Sequence, residues 1–236
     1  PLSFSASPFF EFTREFMNFE PEAWSLRWYR QMVGISSIGD TTVVTDKWML
    51  GTRNSFFVGI VATLLATALG TVAALGLSRP HMPFKAVLMA ILISPMIVPL
   101  IITAAGMFFF YSKIGLTHTY LGLILAHTAL GTPFVVITVT ATLVGFDDNL
   151  RKAAANLGAG PTRTFFKIQM PLILPGVVSG ALFAFITSFD EVVVVIFLAG
   201  ADQLTLPRQM WAGIRQEISP TILAAATILV IISIYA

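Results

Sequence analysis

The sequence contains no cysteine and few charged residues. Lysine, arginine, aspartate and glutamate together make up 11% of the 236 residues, whereas a soluble domain usually has about 25%. A chain with so few charges cannot cover a folded surface in water. The absence of cysteine excludes a disulfide framework and a thiolate metal site, and leaves the redox compartment open.

Other absences exclude further classes of protein. The net charge of +2 gives no basic surface for nucleic acid. No G-x-x-x-x-G-K-[ST] phosphate loop is present, so the chain is not itself an ATPase. The three histidines, His81, His118 and His127, lie on different segments. No metal site is therefore predicted.

The residues that are abundant are apolar. Hydrophobic residues make up 56% of the chain, and the mean hydropathy is +0.83. A membrane-spanning helix needs about 20 mostly apolar residues. The pattern predicts an all-α polytopic membrane protein with spans at 54–77, 84–111, 120–144, 171–198 and from 220 onwards. The charged residues cluster between these runs, as expected when lipid excludes them.

The two ends of the chain predict a further span. The sequence begins at Pro1 without methionine and stops inside an apolar run at Tyr235 and Ala236. We expect 1–53 to hold the end of a largely missing first span and a periplasmic connection. Trp24, Trp28, Tyr29 and Trp48 of this segment suit a membrane–water boundary. Residues 54–236 then form the membrane domain, giving about six helices in total.

The distribution of basic residues predicts the orientation. Six bases lie in the loops 78–85 and 147–169: Arg79, Lys85, Arg151, Lys152, Arg163 and Lys167. The opposite short loops hold three: Lys113, Arg208 and Arg215. Five more bases in 1–53 fall on that opposite side, but long segments count less in this rule. We therefore expect 78–85 and 147–169 to be cytoplasmic.

Two spans carry unusual residues. Pro95 and Pro99 lie in the second span and predict a kink or a break, because proline removes helical hydrogen bonds. Such a helix can line a path or simply pack. His127 lies in the third span, where an ionisable residue is a functional candidate. A neutral histidine bonded to a neighbouring helix is the favoured interpretation.

The segment 147–170, here called the coupling loop, has the pattern of two short helices joined at a glycine. Asp147 or Asp148 can cap the first helix, and Gly158 stands where a left-handed terminator is needed. One face of this helix is predicted to carry Leu150, Ala153, Ala154 and Leu157. Pro161 suits the first turn of a second helix that ends before Pro171. The loop would either seat in a partner's groove or merely connect two spans.

The coupling loop resembles the signature of permease subunits of binding-protein-dependent ABC importers. That signature is Glu-Ala-Ala, three residues, Gly, nine residues, then Ile-x-Leu-Pro. The chain matches it at Ala153, Ala154, Gly158, Ile168 and Pro171. Lys152 replaces the acid and Met170 replaces the leucine. Without the acid, no particular salt bridge to the ATPase is expected at this position, but the loop itself still is.

The resemblance implies a type I ABC importer permease fold in a bacterial inner membrane. The coupling loop would dock on a separate cytoplasmic ATPase dimer, through Leu150, Lys152, Ala153, Ala154, Leu157, Gly158, Ile168 and Pro171. Closure of that dimer would open the path outward. A second permease and a periplasmic binding protein would complete the transporter. This chain would be no enzyme and need no cofactor, because ATP and magnesium bind the partner.

Sequences in the second half resemble the spermidine/putrescine-type subgroup. They are Ser188-Phe189-Asp190-Glu191, residues 192–195, Thr205-Leu206-Pro207 and residues 213–221. A polyamine or related cationic amine is the implied substrate. Related permeases for an opine, a phosphonate, thiamine or iron share parts of these strings, so those substrates stay open.

Asp190 and Glu191 are the candidate substrate-path residues, with Ser188, Phe185 and Phe189 beside them. Paired acids attract ammonium groups, and aromatic rings can add cation–π attraction. The alternative is two interfacial carboxylates in water beside lipid-facing rings.

The loop 200–219 can likewise dock a binding protein or be an ordinary solvated loop. Two other function classes also stay open. A secondary transporter would need coupling-ion sites and usually internal repeats, and no clear repeat is present. A non-transporting scaffold would explain the spans but would leave the coupling-loop spacing as coincidence.

Overall fold

The structure is a computed structural model that describes residues 45–79, 81–216 and 220–235. The described part is built of α-helices joined by short loops, as the sequence predicts. The helices are α1 Thr45–Leu77, α2 Lys85–Ile97, α3 Leu100–Lys113, α4 Tyr120–Val144, α5 Asp148–Asn156, α6 Pro161–Thr164, α7 Met170–Phe189, α8 Val193–Leu198, α9 Leu206–Gln216 and α10 Pro220–Tyr235. A π-helical turn, Phe165–Gln169, joins α6 to α7.

The helices α1, α4 and α7 pack together as the centre of the fold. Their contact is close because small residues face their neighbours. A side chain at Gly180 would occupy the space of Thr138 Oγ1, and one at Gly176 that of Thr142 Oγ1. In a membrane, where lipid is as apolar as leucine, such close backbone packing is the main force that holds helices together.

Among the residues that the structure describes, three apolar helical segments are long enough to cross a membrane: Lys47–Leu77, Tyr120–Val144 and Pro161–Phe189. The second of these has the bounds predicted from the sequence. Its start is fixed locally, because the Thr119 side chain accepts a hydrogen bond from the amide of Gly122.

The predicted second span is broken. The axes of α2 and α3 differ by 103°, and the break falls at Val98 and Pro99. Pro95 lies inside α2, and Pro99 occupies the N-cap of α3. Neither proline has an amide hydrogen to donate to a helical hydrogen bond.

The loops at the two ends of the bundle show how this pair runs. At one end, Arg79, His81 and Met82 line the same cleft as Phe146 and Arg151. At the other end, the amide of His118 donates to the carbonyl of Leu198. The α2–α3 pair starts at the first end and finishes at the second, so it is a broken crossing and not a re-entrant loop. We call the first end, formed by 78–85 and 146–169, the basic end.

The first described helix is longer than predicted. It begins at Thr45, not Asn54, so the predicted boundary between 53 and 54 lies within α1. Trp48 is buried against Leu206 and Ile222, which extends the helix and removes this tryptophan from the predicted interface. Residues 1–44, with Trp24, Trp28 and Tyr29, lie outside the described residues.

The fourth span also departs from its prediction. It is continuous with the second helix of the coupling loop and runs from Pro161 to Phe189. Within that segment α7 begins at Met170, next to the predicted start at Pro171, but α6 and the π-helical turn precede it without a break. The predicted interruption at Asp190 and Glu191 is present, and the six-residue α8 follows it.

Candidate functional site

The coupling loop at the basic end begins with a capped helix. The Asp147 carboxylate accepts a hydrogen bond of 2.9 Å from the amide of Asn149, and Asp148 adds a second negative charge to the first turn of α5. Both carboxylates suit the positive end of the helix dipole. The predicted N-terminal cap is confirmed.

Gly158 ends α5 in the left-handed conformation. Its φ is +78°, and the amides of Gly158 and Ala159 bond to the carbonyls of Ala155 and Ala154 at 3.0 Å. Only glycine and occasionally asparagine take this conformation at little cost. Pro161 then occupies the first turn of α6, as predicted.

The predicted apolar face of α5 divides into two parts. Ala154 is 4% exposed, so it is not on a free surface with the others. Leu157 is 88% exposed, and Leu150 and Ala153 are also exposed. Lys152, which replaces the acid of the signature, is exposed as well. Two leucines on a short polar helix therefore form the outer face of the coupling loop.

The end of the signature lies on the π-helical turn. Ile168 is half-buried within that turn, and Pro171 follows it in the first turn of α7. The amide of Met170 bonds five residues back, to Phe165. Because proline has no amide hydrogen, a widened turn lets the helix continue where an α-helical bond is missing. This is why the second helix of the loop does not stop before Pro171.

The two acids at the far end of α7 lie in different environments. Asp190 ends α7 and is exposed. Glu191 is 7% exposed, and its Oε1 accepts a 2.8 Å hydrogen bond from the amide of Val194. Glu191 thus caps the start of α8, and it does not share the water-exposed position proposed for both acids. The pair does not form a double negative charge on one surface.

An aromatic cluster stands beside this break. The ring centroids of Phe185 and Phe189 are 5.6 Å apart, and Phe56 of α1 lies 5.2 Å from Phe189. The two α7 rings are half-buried. Phe56 is the member that sequence reasoning missed, because it comes from a helix distant in the chain.

Ser188 has a structural partner. Its hydroxyl lies 2.7 Å from Nδ1 of His127, and both side chains are buried. The favoured interpretation of His127, a histidine bonded to a neighbouring helix, is confirmed. Ser188 therefore joins α7 to α4 and faces the interior of the bundle.

The opposite end is held by a polar network that the sequence did not reveal. The Asn54 amide donates to the carbonyls of Asp202 and Leu204 at 2.8 and 2.9 Å. The Tyr120 hydroxyl lies within 3.0 Å of Asn54 Oδ1 and within 2.7 Å of the Asp202 carbonyl. The sequence feature that could have indicated this network is Asn54, a polar residue at the edge of an apolar run.

The coupling loop and the acidic break are not one site. They lie at opposite ends of α7, whose 20 residues span about 30 Å at 1.5 Å per residue. Ile173, Val177 and Ala184 are buried along this helix against the bundle. A single packed helix therefore connects the two candidate regions. Within the described residues, no group of three or more acids or histidines is placed to hold a metal ion.

Comparison with known proteins identifies the family. Residues 33–236 match the model of binding-protein-dependent transport system inner membrane components. The chain belongs to this family. It is a permease subunit of an ABC importer and a multi-pass protein of the inner membrane, and the expected fold class is confirmed.

Two curated relatives show the subgroup. The spermidine/putrescine transport system permease protein PotC of Haemophilus influenzae is 30% identical over 90% of this chain and 79% of its own. The putrescine transport system permease protein PotI of Escherichia coli K12 is 30% identical over 87% and 72%. The predicted resemblance to spermidine/putrescine-type permeases is thereby confirmed.

A solved structure shares the fold. It is the crystal structure of a bacterial ABC transporter involved in the import of the acidic polysaccharide alginate. It matches with a TM-score of 0.59 at 17% identity, over 84% of this chain and 76% of the other. At this identity the likeness concerns the fold alone.

Proposed function

We propose that this permease imports a polyamine or a related cationic amine, driven by a separate ATPase that docks on the coupling loop. The observation that carries the proposal is the capped helix α5, which presents Leu150 and Leu157 to the outside and ends at a left-handed Gly158. Such a rigid helix with an apolar outer face fits a groove in another protein.

Movement follows from the continuity of the helix. A push by the docked ATPase on α5 would pass to α6. Helix α6 runs through the π-helical turn into α7 without a break. Because α7 is closely packed on α4 through Gly176 and Gly180, the two helices move as one body. A push at the basic end therefore reaches Asp190 and the aromatic cluster.

The cationic substrate is supported by the acidic break and by the named activities of the relatives. Asp190 is exposed, and the Phe189 and Phe56 rings stand near the same end of α7. A carboxylate and ring faces are the groups that attract an ammonium group. Glu191 acts in this proposal as the cap that keeps the break in place.

The proposed partners are a dimer of cytoplasmic ATPase subunits, a second permease and a periplasmic binding protein. ATP and magnesium would bind the ATPase. In this arrangement the basic end faces the cytoplasm, and the segment 200–216, which lies beside Asn54 and includes α9, faces the binding protein.

Uptake by the reconstituted transporter tests the substrate. Proteoliposomes that contain the permease pair, the ATPase and the binding protein should take up radiolabelled spermidine or putrescine when ATP is enclosed. Unlabelled polyamine should compete, and thiamine or a phosphonate should not. Uptake of thiamine or a phosphonate without uptake of polyamine would contradict the proposal.

A further inference from the structure

We propose that a cleft at the basic end is a binding site for one anionic phospholipid, with its phosphate on Arg79. The cleft has a volume of about 870 Å³ and lies between the 78–83 turn and the coupling loop. Its lining includes Leu75, Leu143, Arg79, His81, Arg151 and Gln169. The site is separate from the docking face and from the substrate path.

The lining residues form two layers along the membrane normal. Leu75 and Leu143 lie in the last turns of α1 and α4, inside the apolar spans. Arg79 follows Leu75 by four residues, about one turn farther out. Arg151 lies beyond the end of α4, on α5. A ligand in the cleft thus meets apolar side chains on the membrane side and basic groups on the outer side.

The cleft is lined by two arginines and one acid, since Asp148 lies in it beside Arg151. Arg151 forms an ion pair of 3.0 Å with Asp148, whereas Arg79 has no acidic partner among the described residues. The loops 78–85 and 147–169 together hold six bases and two acids. A phosphate oxygen pair matches the fork of a guanidinium, and basic pockets between helices at the cytoplasmic side favour anionic headgroups.

A neighbouring residue fixes this turn at the membrane surface. Phe84 is 79% exposed and directly precedes α2. An exposed apolar ring next to basic residues can insert among the acyl chains while the bases stay at the headgroups. The adjoining cleft therefore lies at the depth of a lipid phosphate, which favours a phospholipid over a free anion.

The proposed lipid leaves the docking face free. On α5, Arg151 follows Leu150 by one residue, and Asp148 precedes Leu150 by two. At 100° per residue both point about 100–160° away from Leu150. Leu157 lies two turns after Leu150 and close to the same direction. An ATPase on the leucines and a lipid on the arginine side can therefore be present together, and the lipid would brace the coupling loop against α1.

The test is to count bound lipid on the complete transporter. The permease pair with its ATPase is reconstituted in nanodiscs of phosphatidylcholine with a minor share of phosphatidylglycerol, then released and measured by native mass spectrometry. Arg79→Gln should lower the retained phosphatidylglycerol about fivefold, the effect expected for one basic group at a charged membrane surface. Arg163→Gln removes an exposed base of the same loop that does not line the cleft, and it should change nothing.

Several outcomes would overturn the proposal. Equal losses in the two variants would show diffuse surface charge, and no retained lipid in the wild type would show an empty cleft. Displacement of the lipid by millimolar inorganic phosphate would show a free-anion site.

A second measurement does not depend on Arg79. Phe146→Trp places a fluorophore in the cleft, and phosphatidylglycerol with brominated acyl chains should quench it more strongly than brominated phosphatidylcholine. Equal quenching by both lipids would contradict the site.

Discussion

Gly158 offers the sharpest test of the coupling loop. Its φ is +78°, and a side chain there would meet open space. A substitution therefore changes the backbone preference and creates no clash. A non-glycine residue in the left-handed region costs about 1–2 kcal/mol, and a β-branched one is at the unfavourable end of that range. Gly158→Thr should lower the ratio of the native turn to other loop conformations about 5- to 30-fold.

Gly160 provides a matched control. A side chain there also meets open space, but its φ is −65° and it occupies the N-cap of α6. Threonine is a good residue at an N-cap, so Gly160→Thr should be neutral. Gly158→Asn should lie between the two, because asparagine tolerates the left-handed region.

The assay is the affinity of the purified permease pair for its ATPase, with membrane insertion as the control for folding. We expect the ATPase to bind about 5- to 30-fold more weakly to Gly158→Thr than to the wild type or to Gly160→Thr. Equal affinities for the two threonine variants would refute the claim that the Gly158 turn positions the docking helix.

Five further substitutions test other parts of the structure. Leu157→Gln should weaken ATPase binding by roughly tenfold or more, the value of burying one leucine, without changing thermal stability in detergent. Glu191→Gln should preserve stability because the amide oxygen still accepts from Val194, whereas Asp190→Asn should lower polyamine uptake about two- to fivefold. Gly180→Val should destabilise the bundle, because a side chain there falls on Thr138, whereas Gly106→Val meets open space and should be tolerated in a melting experiment.

Each of these has a result that would contradict it. Unchanged polyamine uptake in Asp190→Asn would remove that carboxylate from the substrate path. Unchanged ATPase affinity in Leu157→Gln would remove that leucine from the docking face. A large loss of stability in Glu191→Gln would mean that its charge, and not its acceptor oxygen, holds α8. Similar melting temperatures for the two valine variants would show that α4 and α7 are not closely packed at Gly180.

The features predicted correctly from the sequence are those fixed by nearby residues. The start of α4 at Tyr120 was predicted, and the structure shows that Thr119 caps it through an amide three residues away. The predicted cap of α5 is made by Asp147, through an amide two residues away. The left-handed Gly158 is set by the need to end a helix. Each of these features depends on contacts within one helical turn, so residue type and spacing were sufficient to predict it.

The features that were missed depend on contacts between distant segments. The first helix extends back to Thr45 because Trp48 is buried against Leu206 and Ile222. Glu191 is a cap because the chain turns into α8 after it, and Asn54 binds carbonyls about 150 residues away in the sequence. The spacing of residues along one helix carries no information about contacts with distant segments of the chain.

The central claim is that this permease is a passive path, moved by ATP hydrolysis on a separate subunit through the coupling loop. The most direct measurement is polyamine uptake into proteoliposomes, with wild-type ATPase or with an ATPase that binds but cannot hydrolyse ATP, at an imposed and constant membrane potential. The account predicts uptake with the first and none with the second. Uptake that continues with the inactive ATPase would contradict it.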